Sequence, residues 1–104
     1  MSLSEEMPLK AREVADFLKG LASPQRLLVL CALAEGEHSV SQLIARTGIA
    51  QTSMSQHLAK LREEGIVDFR REHRTLFYFI SHPAVTELMT VLYNCFCGEP
   101  TDAR

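Results

Sequence analysis

The sequence lacks a hydrophobic run of membrane length: no stretch approaches the ~20 apolar residues of a spanning helix. Its opening segment, MSLSEEMPLKAREVADF, is acidic and holds no apolar signal core, so neither export nor a membrane partner is expected. A basic excess is also missing. The net charge is −2, whereas nucleic-acid-binding domains often carry a basic face. Cysteine is sparse and odd in number, at three, which argues against a structural disulfide framework. Repeats, low-complexity tracts and a glycine-rich phosphate loop are all absent. The acids are scattered, and no cysteine has a histidine at a spacing that suggests a nucleophile and its base, so an enzyme is not expected and no cofactor is implied.

What is present fits one domain of 104 residues. A chain this short buries a smaller fraction of its surface than a large one, and dimerisation is a natural way to complete its core. With no export signal, a cytoplasmic location is expected, where thiols are free, metal-bound or redox-active. The expected organisation is a flexible N-terminus at 1–8, a folded domain at 9–97 and a flexible tail at 98–104.

From Leu9 to Leu21 the apolar residues Val14, Phe17, Leu18 and Leu21 keep helical spacing. SPQRLLVLCALAEG follows, with Ser23 as N-cap, Pro24 at the first helical position and Gly36 as a stop. Leu27, Leu30, Cys31 and Ala34 fall on one face, which turns Cys31 toward the core or its edge. In SVSQLIARTG, Ser39 and Gln42 form a capping box and Gly48 ends a short helix. After the break at Gly48-Ile49-Ala50, QTSMSQHLAKLREEG makes a third helix, so the pair reads as a helix-turn-helix.

Beyond Gly65 the period changes. IVDFR and TLFYFIS are rich in β-branched and aromatic residues and flank REHR, which predicts a hairpin. His82-Pro83 then opens a last helix with Val85, Leu88, Met89 and Leu92 at i, i+3, i+4 and i+7, and Phe96 extending the stripe. The expected fold is mainly α with a β-hairpin wing, a winged helix-turn-helix of order α-α-α-α-β-β-α.

At 100° per residue, Met54, Leu58 and Leu61 form the buried side of the third helix. Thr52, Ser53, Gln56, Ala59 and Lys60 face the other way, with Ser55 and His57 on the flanks. Short hydroxyl and amide side chains admit a helix to the major groove, and Gln pairs with adenine. Lys60 suits phosphates, and Arg70, Arg71, His73 and Arg74 sit on the wing, where they reach the backbone or minor groove. A solvated helix face is common to every amphipathic helix, and winged helices also serve as protein-interaction modules. The small polar face, capping box, tight turn and basic wing tip together favour double-stranded DNA as the partner.

The stretch SVSQLIARTGIAQTSMSQHLAKLREEGIVDFRREHRTLFYFI resembles the core of the ArsR-type transcriptional repressors. SQHL, the following LREEGIV, the wing strand RTLFYF and the upstream LASPQRLLVLCAL all agree with that family, from about Val14 to Cys97. The resemblance implies a homodimeric repressor on a partly palindromic operator, released by a chemical signal. It implies a dimer interface made by the first and last helices, through Phe17, Leu18, Val85, Leu88, Met89 and Leu92.

Many such repressors sense metals. SVSQLIA lacks the family's Cys-x-Cys, and the last helix offers His82 and Glu87 without the repeated Asp/His pattern, so neither usual metal site is present. His82 reads as a helix cap, and His38 and His73 as exposed loop positions. A trithiolate of Cys31, Cys95 and Cys97 suits a soft metal. However, residues 95 and 97 point about 200° apart on a continuous helix, so the site requires an unravelled end. Thiols at Cys31 and Cys97 resemble instead the reactive-sulfur-sensing (SqrR-, BigR- and HlyU-like) branch of the family. The resemblance implies a small reactive sulfur species as effector, linking Cys31 to Cys97, often through extra sulfur, with a loss of DNA affinity. Cys95 departs from that pattern and stands as an accessory thiol. A direct disulfide needs Cα atoms within roughly 7 Å, and each inserted sulfur lengthens the bridge by up to ~2 Å. Two observations weigh on the other side. Cysteine is commonly a small core hydrophobe. Cys97, at a helix C-terminus, meets a macrodipole that disfavours its thiolate.

Overall fold

A computed structural model describes residues 2–98. The elements are α1 (Leu3–Leu21), α2 (Pro24–Ala34), β1 (His38–Ser39), α3 (Val40–Thr47), α4 (Gln51–Glu63), β2 (Val67–Glu72), β3 (Thr75–Ile80) and α5 (Pro83–Phe96). This is the expected mainly helical winged helix-turn-helix with one strand added. Among the described residues no single helix is long and apolar enough to cross a membrane. The proposed tail at 98–104 lies outside the described residues apart from Gly98.

The segment expected to precede the first helix is helical from Leu3, and Pro8 sits inside it. At the sixth helical position Pro8 lacks the N–H that would bond the Ser4 carbonyl, so α1 gives up one i→i−4 hydrogen bond there. Ser23 caps α2, its hydroxyl accepting from the Arg26 N–H at 3.4 Å, with Pro24 at the first helical position. The helix stops at Ala34, with Glu35 as C-cap.

The helix-turn-helix forms as its capping signals predict. Ser39 Oγ accepts from the Gln42 N–H (3.2 Å) and Gln42 Oε1 accepts from the Ser39 N–H (2.9 Å), closing the box on α3. Gly48 ends α3 at φ 76°, a left-handed conformation that favours glycine. The turn is stitched by Thr47, whose hydroxyl donates to the Leu43 carbonyl (2.7 Å) and accepts from the Ile49 N–H (3.2 Å).

Leu43, Met54, Leu58 and Leu61 are fully buried together with Val29 and Leu30 from α2, so the pair of helices is seated on one apolar core. β2 and β3 pair antiparallel from Val67↔Ile80 to Glu72↔Thr75, and His73 takes φ 58° in the connecting turn. The short strand β1 joins the other edge of β3, His38↔Tyr78 and Ser39↔Phe77, giving the order β1-β3-β2. His38 is therefore in a strand, half-buried, and not in a loop. α5 is capped by His82, whose Nδ1 accepts from the Ala84 N–H at 3.2 Å while its ring stacks on Phe17 of α1 at 4.7 Å.

Candidate nucleic-acid interface and thiol pair

α4 presents the face predicted for it. Thr52, Ser55, Gln56, Ala59 and Lys60 are exposed, while Ser53 is half-buried. Lys60 forms ion pairs with Glu63 (3.4 Å) and Glu64 (3.7 Å) on its own helix end, which partly offset its charge. His57 departs from the expectation of a DNA contact. It is half-buried, and both ring nitrogens are engaged by α2: Nε2 with Gln25 Oε1 at 2.7 Å, and Nδ1 with the Arg26 Nε–H at 3.5 Å. The ring thus faces α2 and stands behind the reading surface.

The wing divides its arginines into two kinds. Arg70 is held by Glu37 (2.8 Å) and Glu72 (3.4 Å) and lies over the Phe77 ring at 4.9 Å. The hydrogen bond to Glu37, ahead of the other influences, raises its already high pKa. Arg70 is a fastening between the loop after α2 and the sheet, which the sequence left unseen. Arg71 and Arg74 are exposed, and their side chains make no hydrogen bond or ion pair among the described residues, so they are the wing cations open to a phosphate. His73 is exposed beside them. At the root of the wing, Arg62 donates to Asp68 at 2.9 Å and lies 4.2 Å from the Phe69 ring centroid. That hydrogen bond, with a second from the Phe69 N–H, holds the Asp68 carboxyl below the usual carboxylate range.

None of the three cysteines is in a disulfide, and all three are exposed. Of the two places its helical face allowed, the core or its edge, Cys31 takes the edge. α2 is apolar almost all round, and the side that the core takes is Val29, Leu30, Ala32 and Leu33. α2 packs against α5, and this brings Cys31 within electrostatic reach of Cys97, the C-cap of α5. Burial around its sulfur, then the negative charge of Cys97, then that of Glu35 push the Cys31 thiol up from its ordinary range. Among the described residues no three His, Cys, Asp or Glu side chains converge as a metal would require, so Cys31, Cys95 and Cys97 do not form a ligand set in the protomer.

Of the residues assigned to a dimer interface, Val85 and Met89 are buried in the chain's own core, at 0% and 3% exposure. Phe17, Leu88 and Leu92 are half-buried against that core, and Leu18 is exposed. The apolar surface left open includes Leu28 of α2 and Val91, Tyr93 and Phe96 of α5, so the stripe read from the sequence identifies the face toward the core, and the open face is its neighbour.

A helix-turn-helix with a polar second helix, followed by a hairpin with unpaired cations at its tip, defines a winged helix-turn-helix of the DNA-reading kind. The sequence profile described as "Bacterial regulatory protein, arsR family" matches residues 23–68. The chain belongs to the arsR family of bacterial regulatory proteins; it is a transcriptional regulator and not an enzyme. It is 42% identical over 99 residues to the biofilm growth-associated repressor of Xylella fastidiosa strain 9a5c, covering 95% of this chain and 87% of that one. It is 37% identical over 93 residues to the transcriptional activator HlyU of Vibrio cholerae, covering 89% and 86%. The crystal structure of the transcriptional repressor BigR from Xylella fastidiosa superposes with a TM-score of 0.86 at 42% identity, over 95% of this chain and 100% of that one. Reduced HlyU from Vibrio cholerae does so with a TM-score of 0.83 at 36% identity, over 89% and 98%.

Proposed function

We propose that this regulator is a dimeric, cytoplasmic repressor that holds a partly palindromic operator and lets go when Cys31 and Cys97 are linked. α4 enters the major groove with Thr52, Ser53, Ser55 and Gln56 toward the bases, while Lys60, Arg71 and Arg74 meet phosphates. The exposed apolar residues of α1 and α5 face a second copy, and two-fold symmetry sets the two α4 helices about 34–36 Å apart, one helical turn of DNA.

The observation that carries the sulfur part is the proximity of Cys31 to Cys97, on two different helices, with both thiols exposed and uncrosslinked. A Cys97 thiolate attacks the outer sulfur of a persulfide R–S–SH, R–S⁻ leaves, and Cys97 carries the persulfide. The same exchange at Cys31 gives a second persulfide. The terminal sulfur of one then attacks the inner sulfur of the other and expels HS⁻, leaving a trisulfide between α2 and α5. A disulfide-forming oxidant supplies a direct bridge by removing two electrons and two protons. Either link changes the packing of α5, which also faces the second copy, and so shifts the spacing of the α4 pair.

Anisotropy of a labelled duplex selected from random sequence tests the reading. The reduced protein binds a palindrome with a steep salt dependence, since each phosphate contact releases counterions. Persulfide treatment lowers the affinity on the order of tenfold or more, within the usual span of allosteric coupling. Absence of DNA binding at low salt overturns the repressor, and unchanged affinity of the linked protein overturns the sulfur switch.

A further inference from the structure

If α2 receives the chemical signal and α4 reads DNA, something must join them. α2 packs chiefly on α3, β3 and α5 and not closely on α4. The polar bridge between the two helices is His57 with Gln25 and Arg26. Its ring nitrogens have complementary roles: Nε2–H donates to Gln25 Oε1 at 2.7 Å, and Nδ1 accepts from the Arg26 Nε–H at 3.5 Å. The same guanidinium donates through Nη1 to the Gly20 carbonyl at 3.0 Å, at the end of α1. Three helices therefore meet at one imidazole and one guanidinium: the N-terminal helix α1, the helix that carries Cys31, and the helix that carries the reading face.

Hydrogen bonds weaken steeply as distance and angle change, so this contact is sensitive to a small shift of α2. Gln25 precedes Cys31 by six positions, about 9 Å along a helix at 1.5 Å per residue. An eleven-residue helix moves as a rod over that length, so a pull at Cys31 displaces its first turn as well. His57 adjoins Gln56 on α4, so a displacement of the imidazole carries the outward face of that helix with it.

We propose that His57, gripped by Gln25 and Arg26, is the positioning residue that carries the state of the Cys31–Cys97 pair to the DNA-reading helix. The proposal rests on the sulfur-switch reading above. In the uncrosslinked protein the joint is at rest, and the packing of α4 on the core keeps it in its binding orientation. When Cys31 is linked to Cys97, α2 shifts and drags α4 through the joint.

The test is the coupling ratio, the operator affinity of the reduced dimer divided by that of the persulfide-linked dimer, with the link verified by intact mass. Gln25→Ala removes the short hydrogen bond at an exposed position of α2 and touches no residue of the DNA face. It leaves reduced affinity within about threefold of wild type and crosslinks to the same extent, but its coupling ratio falls to below about a third of the wild-type value. His57→Phe, which keeps the ring and loses both bonds, lowers the ratio likewise. His57→Gln, with one donor and one acceptor, restores much of it, which a role in packing alone does not predict. An unchanged ratio in Gln25→Ala and His57→Phe, with the crosslink formed, overturns the joint and leaves the switch standing. A wild-type ratio of one overturns both.

Discussion

The Cys97 sulfur at the end of α5 stands near enough to Cys31 on α2 for its charge to disfavour a second thiolate there. Two thiols far apart in sequence have been brought together by the packing of α2 on α5, and they remain uncrosslinked. The pair is asymmetric in chemistry, because burial and Glu35 also act on Cys31.

In the proposed exchange, the raised Cys31 thiol is expected to react after Cys97. Replacing Cys97 with Ser removes one of the three causes, so alkylation of Cys31 sets in at lower pH than in wild type, while burial and Glu35 keep it above the ordinary thiol range. Alkylation rate against pH, in a Cys95→Ser background, measures this. A thiol whose pKa is raised on folding costs stability as pH climbs through its titration, since the unfolded chain releases the proton first. Denaturant midpoints consequently decline in alkaline buffer, and Cys31→Ser flattens that decline.

The two kinds of wing arginine predict different DNA behaviour. Arg71→Ala and Arg74→Ala each weaken operator binding about equally across sequences and reduce the salt slope by about one. Arg70→Ala alters the slope less, because Glu37 and Glu72 already hold that guanidinium. Affinities between about 50 and 200 mM salt separate the cases. Equal slopes for all three contradict the assignment.

Asp68 owes its low pKa first to the hydrogen bond from Arg62 and then to the Phe69 N–H. In Arg62→Gln the carboxyl titrates at higher pH, closer to an ordinary Asp, as a carboxyl carbon shift by NMR reads directly. The stability tied to this contact is present above the unfolded-state pKa and lost as pH falls through the folded one.

The capping box on α3 sets a stability prediction. Ser39→Ala removes the acceptor for the Gln42 N–H and lowers unfolding free energy by about 1 kcal/mol. Leu58→Ala, at 1% exposure under the helix-turn-helix, costs roughly 2–5 kcal/mol. Urea denaturation checks both.

Much of this fold was legible because its signals are local. Ser39 with Gln42, Gly48, and the 3.6-residue spacing of Met54, Leu58 and Leu61 each fix an element within a few positions. β1 was not legible, since two residues are too few to display a period, and it exists only by pairing with β3. The apolar spacing places the first helix from Leu9, whereas α1 begins at Leu3, and the almost uniformly apolar α2 offered no contrast to show that Cys31 faces out. On α5 the spacing of Val85 and Met89 marked a buried face without telling an internal core from a second copy. The joints of Arg70 with Glu37 and of His57 with Gln25 span 33 and 32 positions, a range at which a single sequence carries no pairing signal.

The most direct test of the central claim is intact-mass analysis with cysteine mapping after anaerobic exposure to glutathione persulfide, with operator affinity measured on the same sample. The expected result is a Cys31–Cys97 link carrying added sulfur, with Cys95 outside the link, and a fall in DNA affinity in proportion to the linked fraction. Cys31 and Cys97 left unlinked, or fully linked with operator affinity intact, would contradict it.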